Sequence, residues 1–284
     1  MTLLELNRLA LLGRNKFMNR TLFIAMAAAI LFPGVGRAEE NSLLEKSKEL
    51  MKGASYYAAI MTLEPLLLQK ERSDGQQEAY LVADKICGIF VNDYDYLLIR
   101  EFESIYGVSS GKDMEWEKIK TLNRLGAGIT YSSMAGSYDY QYAFLKTLLE
   151  RYPDSPYGPI AKFYMIRPGF NEIKDVERER RELNNYVKKY PDLKEADLAR
   201  LKLARINDNL WQILSADYGR EQFTSGDRDK DANRAVKSRL TALRLYQLVL
   251  NNKKIDEKIL KEVRERYKEL KGLKRTNRYW ILND

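Results

Sequence analysis

Histidine is absent from all 284 residues, and cysteine occurs once. The first absence removes imidazole bases, histidine-dependent triads and the common zinc sites together. The second rules out an intramolecular disulfide. Cys87 lies among apolar neighbours in YLVADKICGIF with nothing basic adjoining it, and reads as a buried small residue rather than a reactive thiol. Carboxylates remain for catalysis, but the pairs Glu101/Glu103 and Glu115/Glu117 are two residues apart, a spacing that sends helical side chains to different sides. They read as surface residues. No catalytic residue, metal ligand or cofactor is expected.

Long apolar runs are almost as scarce. The single candidate, Leu22 to Phe32, follows Arg8, Arg14, Lys16 and Arg20 and is broken by Pro33-Gly34 before Gly36-Arg37-Ala38 and Glu39-Glu40. A basic flank, a short apolar core, a breaker and small residues are the order of a secretion signal, with cleavage expected after Ala38. The run falls short of the roughly 20 apolar residues that a membrane span needs. Met18-Asn19-Arg20 supplies a second possible start, and no cysteine follows the run to carry a lipid. Export across an inner membrane to a periplasm is expected, with no transmembrane span in the mature chain.

The net charge of +8 is unevenly spread. The first 38 residues hold five basic and one acidic side chain, which leaves +4 for the rest. Residues 230–284 carry +9, so residues 39–229 carry −5. Nucleic acid is not an expected partner for an exported chain whose larger part is acidic.

Alternating β-branched runs are few, whereas Leu, Ala, Lys, Glu and Arg recur with helical spacing. That spacing predicts helices over about 41–52, 55–70, 76–90, 94–106, 113–135, 138–151, 156–166, 172–189, 193–215, 232–251 and 257–271. Turn chemistry separates them at Ser73-Asp74-Gly75, Ser109-Ser110-Gly111, Asp154-Ser155-Pro156 and Pro191-Asp192. Ser155 is placed to cap the next helix, Asp192 and Glu195 have capping-box spacing, and Asp231 is expected to cap the helix at 232. The alternating aspartates of Gly226 to Asp231 have the look of a calcium loop. Ala232 and Ser238 stand where such a loop wants Gly and Glu, so a polar connection is expected instead.

One segment repeats. LKTLLERYPD (Leu145 to Asp154) returns 38 residues later as LNNYVKKYPD (Leu183 to Asp192), with superimposable apolar positions. Helix pairs at such a period stack because one pair cannot bury its own apolar face. In GSYDYQYAFLKTLLERYP, residues Gly136, Tyr138 and Pro153 keep the spacing of the second helix of a tetratricopeptide repeat, which this segment resembles. A further copy opens at Gly53 in KGASYYAAIMTLEPLL, where Ala59 suits the small contact position between helices. The join RYPDSPYGPIAKFYM is similar to repeats of exported envelope proteins, including those serving outer-membrane assembly and cell-division coordination. The resemblance covers 40–70 and 113–206. Gln141 departs from the Ala that the family prefers, and 76–112 matches poorly. It implies an all-α, right-handed helical-repeat solenoid whose concave face binds peptides or proteins, and it implies no reaction. The expected organisation is a signal peptide over 1–38, a repeat domain over 39–231 and a basic helical hairpin over 232–284 that closes the solenoid.

The helix from Asp256 to Gly272 is strongly sorted. Leu260, Val263, Tyr267 and Leu270 form one stripe. Lys261, Arg264, Lys268, Lys271 and Arg275 share a second arc, and Glu262, Glu265 and Glu269 a third. The pairs Glu257–Lys261 and Glu262–Arg266 are expected along it. Either the basic arc is a solvated face, or it is a ridge for an anionic partner: an acidic protein, lipid headgroups or an envelope polymer. Tyrosines cluster at Tyr56-Tyr57, Tyr94/Tyr96 and Tyr138/Tyr140/Tyr142; most are expected to pack between helices, with Tyr140 a candidate for a binding groove. The favoured reading is a non-catalytic envelope scaffold for protein or peptide partners. A tether to anionic polymer or lipid is the alternative, and a carboxylate-dependent glycan hydrolase is the least favoured.

Overall fold

A computed structural model describes residues 36–103, 110–132, 137–169, 173–215, 223–252 and 255–275, with backbone alone for 92–103, 110–116, 132 and 137. Residues 1–35 of the expected secretion signal lie outside these residues, whereas Arg37 and Ala38, beside the expected cleavage point, open the first helix. Tyr94, Tyr96, Glu101, Glu103 and Glu115 lie outside them as side chains. The chain is mostly helical: ten helices hold 75% of the described residues, with little strand. No helix among the described residues is long and apolar enough to cross a membrane. The chain divides into two compact units between Tyr152 and Pro153, inside the segment expected to form one repeat domain.

The first unit opens with α1 (Arg37–Lys52) and α2 (Tyr56–Leu67), joined by a three-residue turn in which Ala54 takes φ 57°. So short a link makes the two helices antiparallel neighbours. Ala59 is fully buried, and the Ser47 hydroxyl donates to its carbonyl at 2.9 Å, so the small side chain lets the helices approach. Pro65 lies in the last turn of α2, where it lacks the N–H that would bond to the Met61 carbonyl. The following helix, α3 (Asp74–Glu103), packs on both α1 and α2 and starts with the Ser73 hydroxyl accepting from the Gln76 N–H at 3.0 Å. It runs through the gap expected near 91–93, because no proline or glycine interrupts 89–103.

Beyond α4 (Ser110–Arg124) the structure corrects the sequence reading. A helix was expected to continue to 135 and another to begin at 138. Instead β1 (Ile129–Ser132) and β2 (Ser137–Tyr140) pair antiparallel, Ile129 opposite Tyr140 and Tyr131 opposite Tyr138. Gly126 and Gly128 take φ of 99° and 63°, which ends the helix, and the Asn123 amide grips both the N–H and the C=O of Ile129 at 2.7 and 2.9 Å. Helix α5 (Ala143–Arg151) then packs on α3. At its end the Tyr152 hydroxyl donates to Gln76, while Arg151 donates to the Gln69 and Lys70 carbonyls and so clamps the α2–α3 loop.

The second unit contains α6 (Gly158–Tyr164), α7 (Ile173–Lys189), α8 (Lys194–Leu214), α9 (Arg228–Leu250) and α10 (Glu257–Lys271). Ser155 does not cap α6: Tyr157 stands at that position, and the Ser155 hydroxyl accepts from the Tyr157 N–H at 3.1 Å in the turn before the helix. Asp192 does not cap α8; Leu193 stands at that position. Asp227, rather than Asp231, caps α9 by accepting from Asp229 N–H and Lys230 N–H, both at 3.1 Å. Asp231 lies one turn into α9 and holds the Ser225 N–H at 2.8 Å and Arg234 at 2.9 Å. Helix α8 is central: α6, α7 and α9 pack on it, and α10 packs on α9. Every residue from Ile206 to Leu214 is buried. A helix covered on all sides must satisfy its polar side chains internally.

Candidate functional site

Asp208, on α8, is the most consequential of those side chains. Its carboxylate is wholly buried, and Arg266 from α10 meets it in a two-pronged pair, Nε to Oδ2 at 2.6 Å and Nη2 to Oδ1 at 2.7 Å. The Tyr246 hydroxyl from α9 donates to Oδ2 at 3.2 Å, and Gln212 donates to Oδ1 at 3.2 Å. Burial, then the adjacent Asp208 charge, push the Tyr246 phenol well above its ordinary range. A planar guanidinium matched to a carboxylate is the strongest neutralising contact available to a buried acid. The arrangement therefore joins three helices and leaves no open acid for chemistry.

Helix α10 presents its expected stripe inward: Leu260, Val263 and Leu270 are buried and Tyr267 is partly so. The ion pairs expected along it are not the ones that form. Arg266 is drawn to Asp208, Glu262 accepts from Arg205 of α8 at 3.0 Å, and Glu257 meets Arg264 at 3.4 Å. The buried carboxylate takes the guanidinium because the energy at stake there exceeds that of an exposed pair on one helix. Glu269 is held by Arg266 and Lys274, at 3.2 and 3.0 Å. Arg239 of α9 donates to the Leu270 and Lys271 carbonyls at 3.0 and 2.9 Å, closing the C-terminal end of α10.

The basic arc has a different fate. Lys261, Lys268 and Lys271 stand exposed, and none of them has an ion pair among the described residues. Arg264 is exposed but paired with Glu257, and Arg275 donates to the Ser215 carbonyl at the end of α8. Of the five cations expected on this ridge, three remain fully available. Two of the three carboxylates on the opposing arc are taken up by contacts with other basic groups.

Tyr140 is placed elsewhere, in the first unit. Its hydroxyl donates to Asp84 Oδ1 at 2.6 Å, so the polar tip that would greet a partner in a groove faces the interior. Burial pushes the Asp84 carboxyl up to about 7, against the hydrogen bonds from Tyr140 and from the Leu145 backbone. Cys87, one turn along α3, is fully buried, and burial together with the Asp84 charge raises its thiol far out of the reactive range. Asp84 was not singled out in the sequence. The signal was present: it shares a helix face with Tyr80 and Cys87, at spacings of four and three. Glu117 is exposed and pairs with Lys120 at 2.7 Å. Among the described residues no group of three metal-ligating side chains converges.

No protein-family model matches the chain, and a search of curated proteins finds no significant match. The tetratricopeptide resemblance therefore rests on its residues alone, and of these Tyr138 lies in β2, not at the start of a helix.

Proposed function

We propose that the chain is a non-catalytic, exported scaffold whose helix pairs stack as a right-handed repeat and bind protein partners in the cell envelope. The carrying observation is the asymmetry of α10. Glu262 and Glu269 are engaged by neighbouring basic groups, while Lys261, Lys268 and Lys271 are left exposed on one face. Such segregation projects a positive potential that steers anionic partners. The packing of α1, α2 and α3, and of α7, α8 and α9, supports the repeat reading.

Cross-linking of the tagged protein in intact cells tests this. The wild type is expected to hold specific envelope proteins, and the K261E/K268E/K271E variant to lose them. Retention of an unprocessed chain in the cytoplasm would overturn the reading. The same exposed lysines also suit a second reading, a tether to anionic lipid or polymer. That version requires sedimentation with anionic vesicles that weakens as salt rises.

A further inference from the structure

Helix α9 has two faces. Ala235, Ala242, Leu245, Tyr246 and Val249 turn into the core of the second unit. On the opposite side Val236, Leu240 and Leu248 are 59%, 57% and 49% exposed. With Arg244 between them, these residues make an inclined row at four-residue intervals, and Leu240 and Val236 border an open furrow of about 380 Å³. Lys237 flanks the row and Arg244 stands within it, and neither has an ion pair among the described residues. From Ala232 to Ile255 there is no acidic residue to neutralise them.

We infer that this face is a docking site for an acidic amphipathic helix of a partner protein. Residues at four-residue spacing form a ridge that packs into the groove of a second helix. From Val236 to Leu248 the ridge is about 18 Å long, so it takes a partner segment of about 12–16 residues. Two cations, Lys237 beside the ridge and Arg244 on it, with no carboxylate on the ridge, select a partner that carries Asp or Glu along the edges of its apolar stripe. A second copy of this chain does not suit: a two-fold contact would bring like cations together. A membrane surface does not suit either. Asn233, Gln247 and Asn251 interrupt the face, it has no aromatic residue, and the apolar side of α9 is already committed to the core.

The inference rests on the reading of the chain as a binding protein, and its failure is separable from that reading. A panel of labelled synthetic helices, with Leu at helical spacing and Glu on both flanks, is titrated into the purified protein by fluorescence anisotropy. Saturable binding is expected, weakened about tenfold or more by L240D. K237E/R244E should weaken it similarly and transfer preference to the matching Lys-flanked panel. All three substituted residues are exposed, and circular dichroism checks that each variant keeps its helical content. Absence of saturable binding, binding indifferent to Leu240, or no change of charge preference overturns the inference. Leu240-dependent binding to phosphatidylglycerol vesicles in place of the peptides also overturns it, in favour of a membrane contact. Partners retained in intact cells through α10, with no peptide bound at α9, would leave the scaffold reading standing and this site refuted.

Discussion

Asp84 in the first unit and Asp208 in the second are both buried carboxylates on long helices, and they are held by different means. Asp208 has a guanidinium against both its oxygens, together with a hydroxyl and an amide. Asp84 has a hydroxyl and a backbone N–H but, among the described residues, no cation, and its carboxyl is pushed up to about 7. A buried acid with a matched counter-ion serves as a fixed joint between helices, whereas one without it becomes sensitive to pH. Asp208 is therefore expected to act as a fixed tie between helices of the second unit, and the first unit to carry a titrating core at Asp84.

The largest effect should follow from breaking the joint. Arg266→Ala strands Asp208 in the interior and is expected to cost about 3–5 kcal/mol, read from chemical unfolding. Replacing both partners, Asp208→Leu with Arg266→Met, should recover much of that loss. A double variant as unstable as the single one would show that the charge pair is not the cause.

Asp84 gives a smaller, pH-dependent effect. Well below the ordinary Asp value of 3.8 its carboxyl is protonated in folded and unfolded chains alike. As pH rises toward 7 the unfolded chain releases the proton first, so the stability contributed by the neutral folded carboxyl is progressively lost. Asp84→Asn should remove this slope and make the protein relatively more stable at pH 8 than at pH 5, by an amount of the order of a few kcal/mol. Equal slopes for wild type and variant would refute the titrating core.

Tyr140→Phe should have the smallest consequence, about 1 kcal/mol near neutral pH. Loss of the hydroxyl that favours the ionised form should also move the Asp84 transition upward in pH, which the same unfolding series would detect.

The helices were readable because apolar spacing and turn residues agree along most of the chain. The stripe Leu260, Val263, Tyr267 and Leu270, the small contact at Ala59 and the burial of Cys87 follow directly from period and neighbours. The hairpin at 129–140 was misread because LGAGITYSS holds enough apolar residues to mimic a helix face. The decisive feature is backbone freedom at Gly126 and Gly128, followed by the alternation of Ile129 and Tyr131 against Tyr138 and Tyr140. Exposure of the basic arc on α10 agreed with expectation, but its pairing did not. The sequence shows Glu262 four residues before Arg266, whereas only three-dimensional packing brings Asp208 within reach. The α9 face escaped notice because its apolar residues occur on both sides of the helix, and periodicity alone does not tell which side is covered.

The Asp208–Arg266 joint also bears on the order in which the chain can mature. The two residues are 58 positions apart, and α9, with its Tyr246 hydroxyl, lies between them in sequence. A nascent chain that has α8 but not α10 carries a carboxylate whose counter-ion does not yet exist, so closing the interior around it is unfavourable. Such distant closure slows folding. A chain cut short before residue 266 is therefore expected to leave Asp208 without its guanidinium and its centre more open to proteases than that of a chain that reaches it.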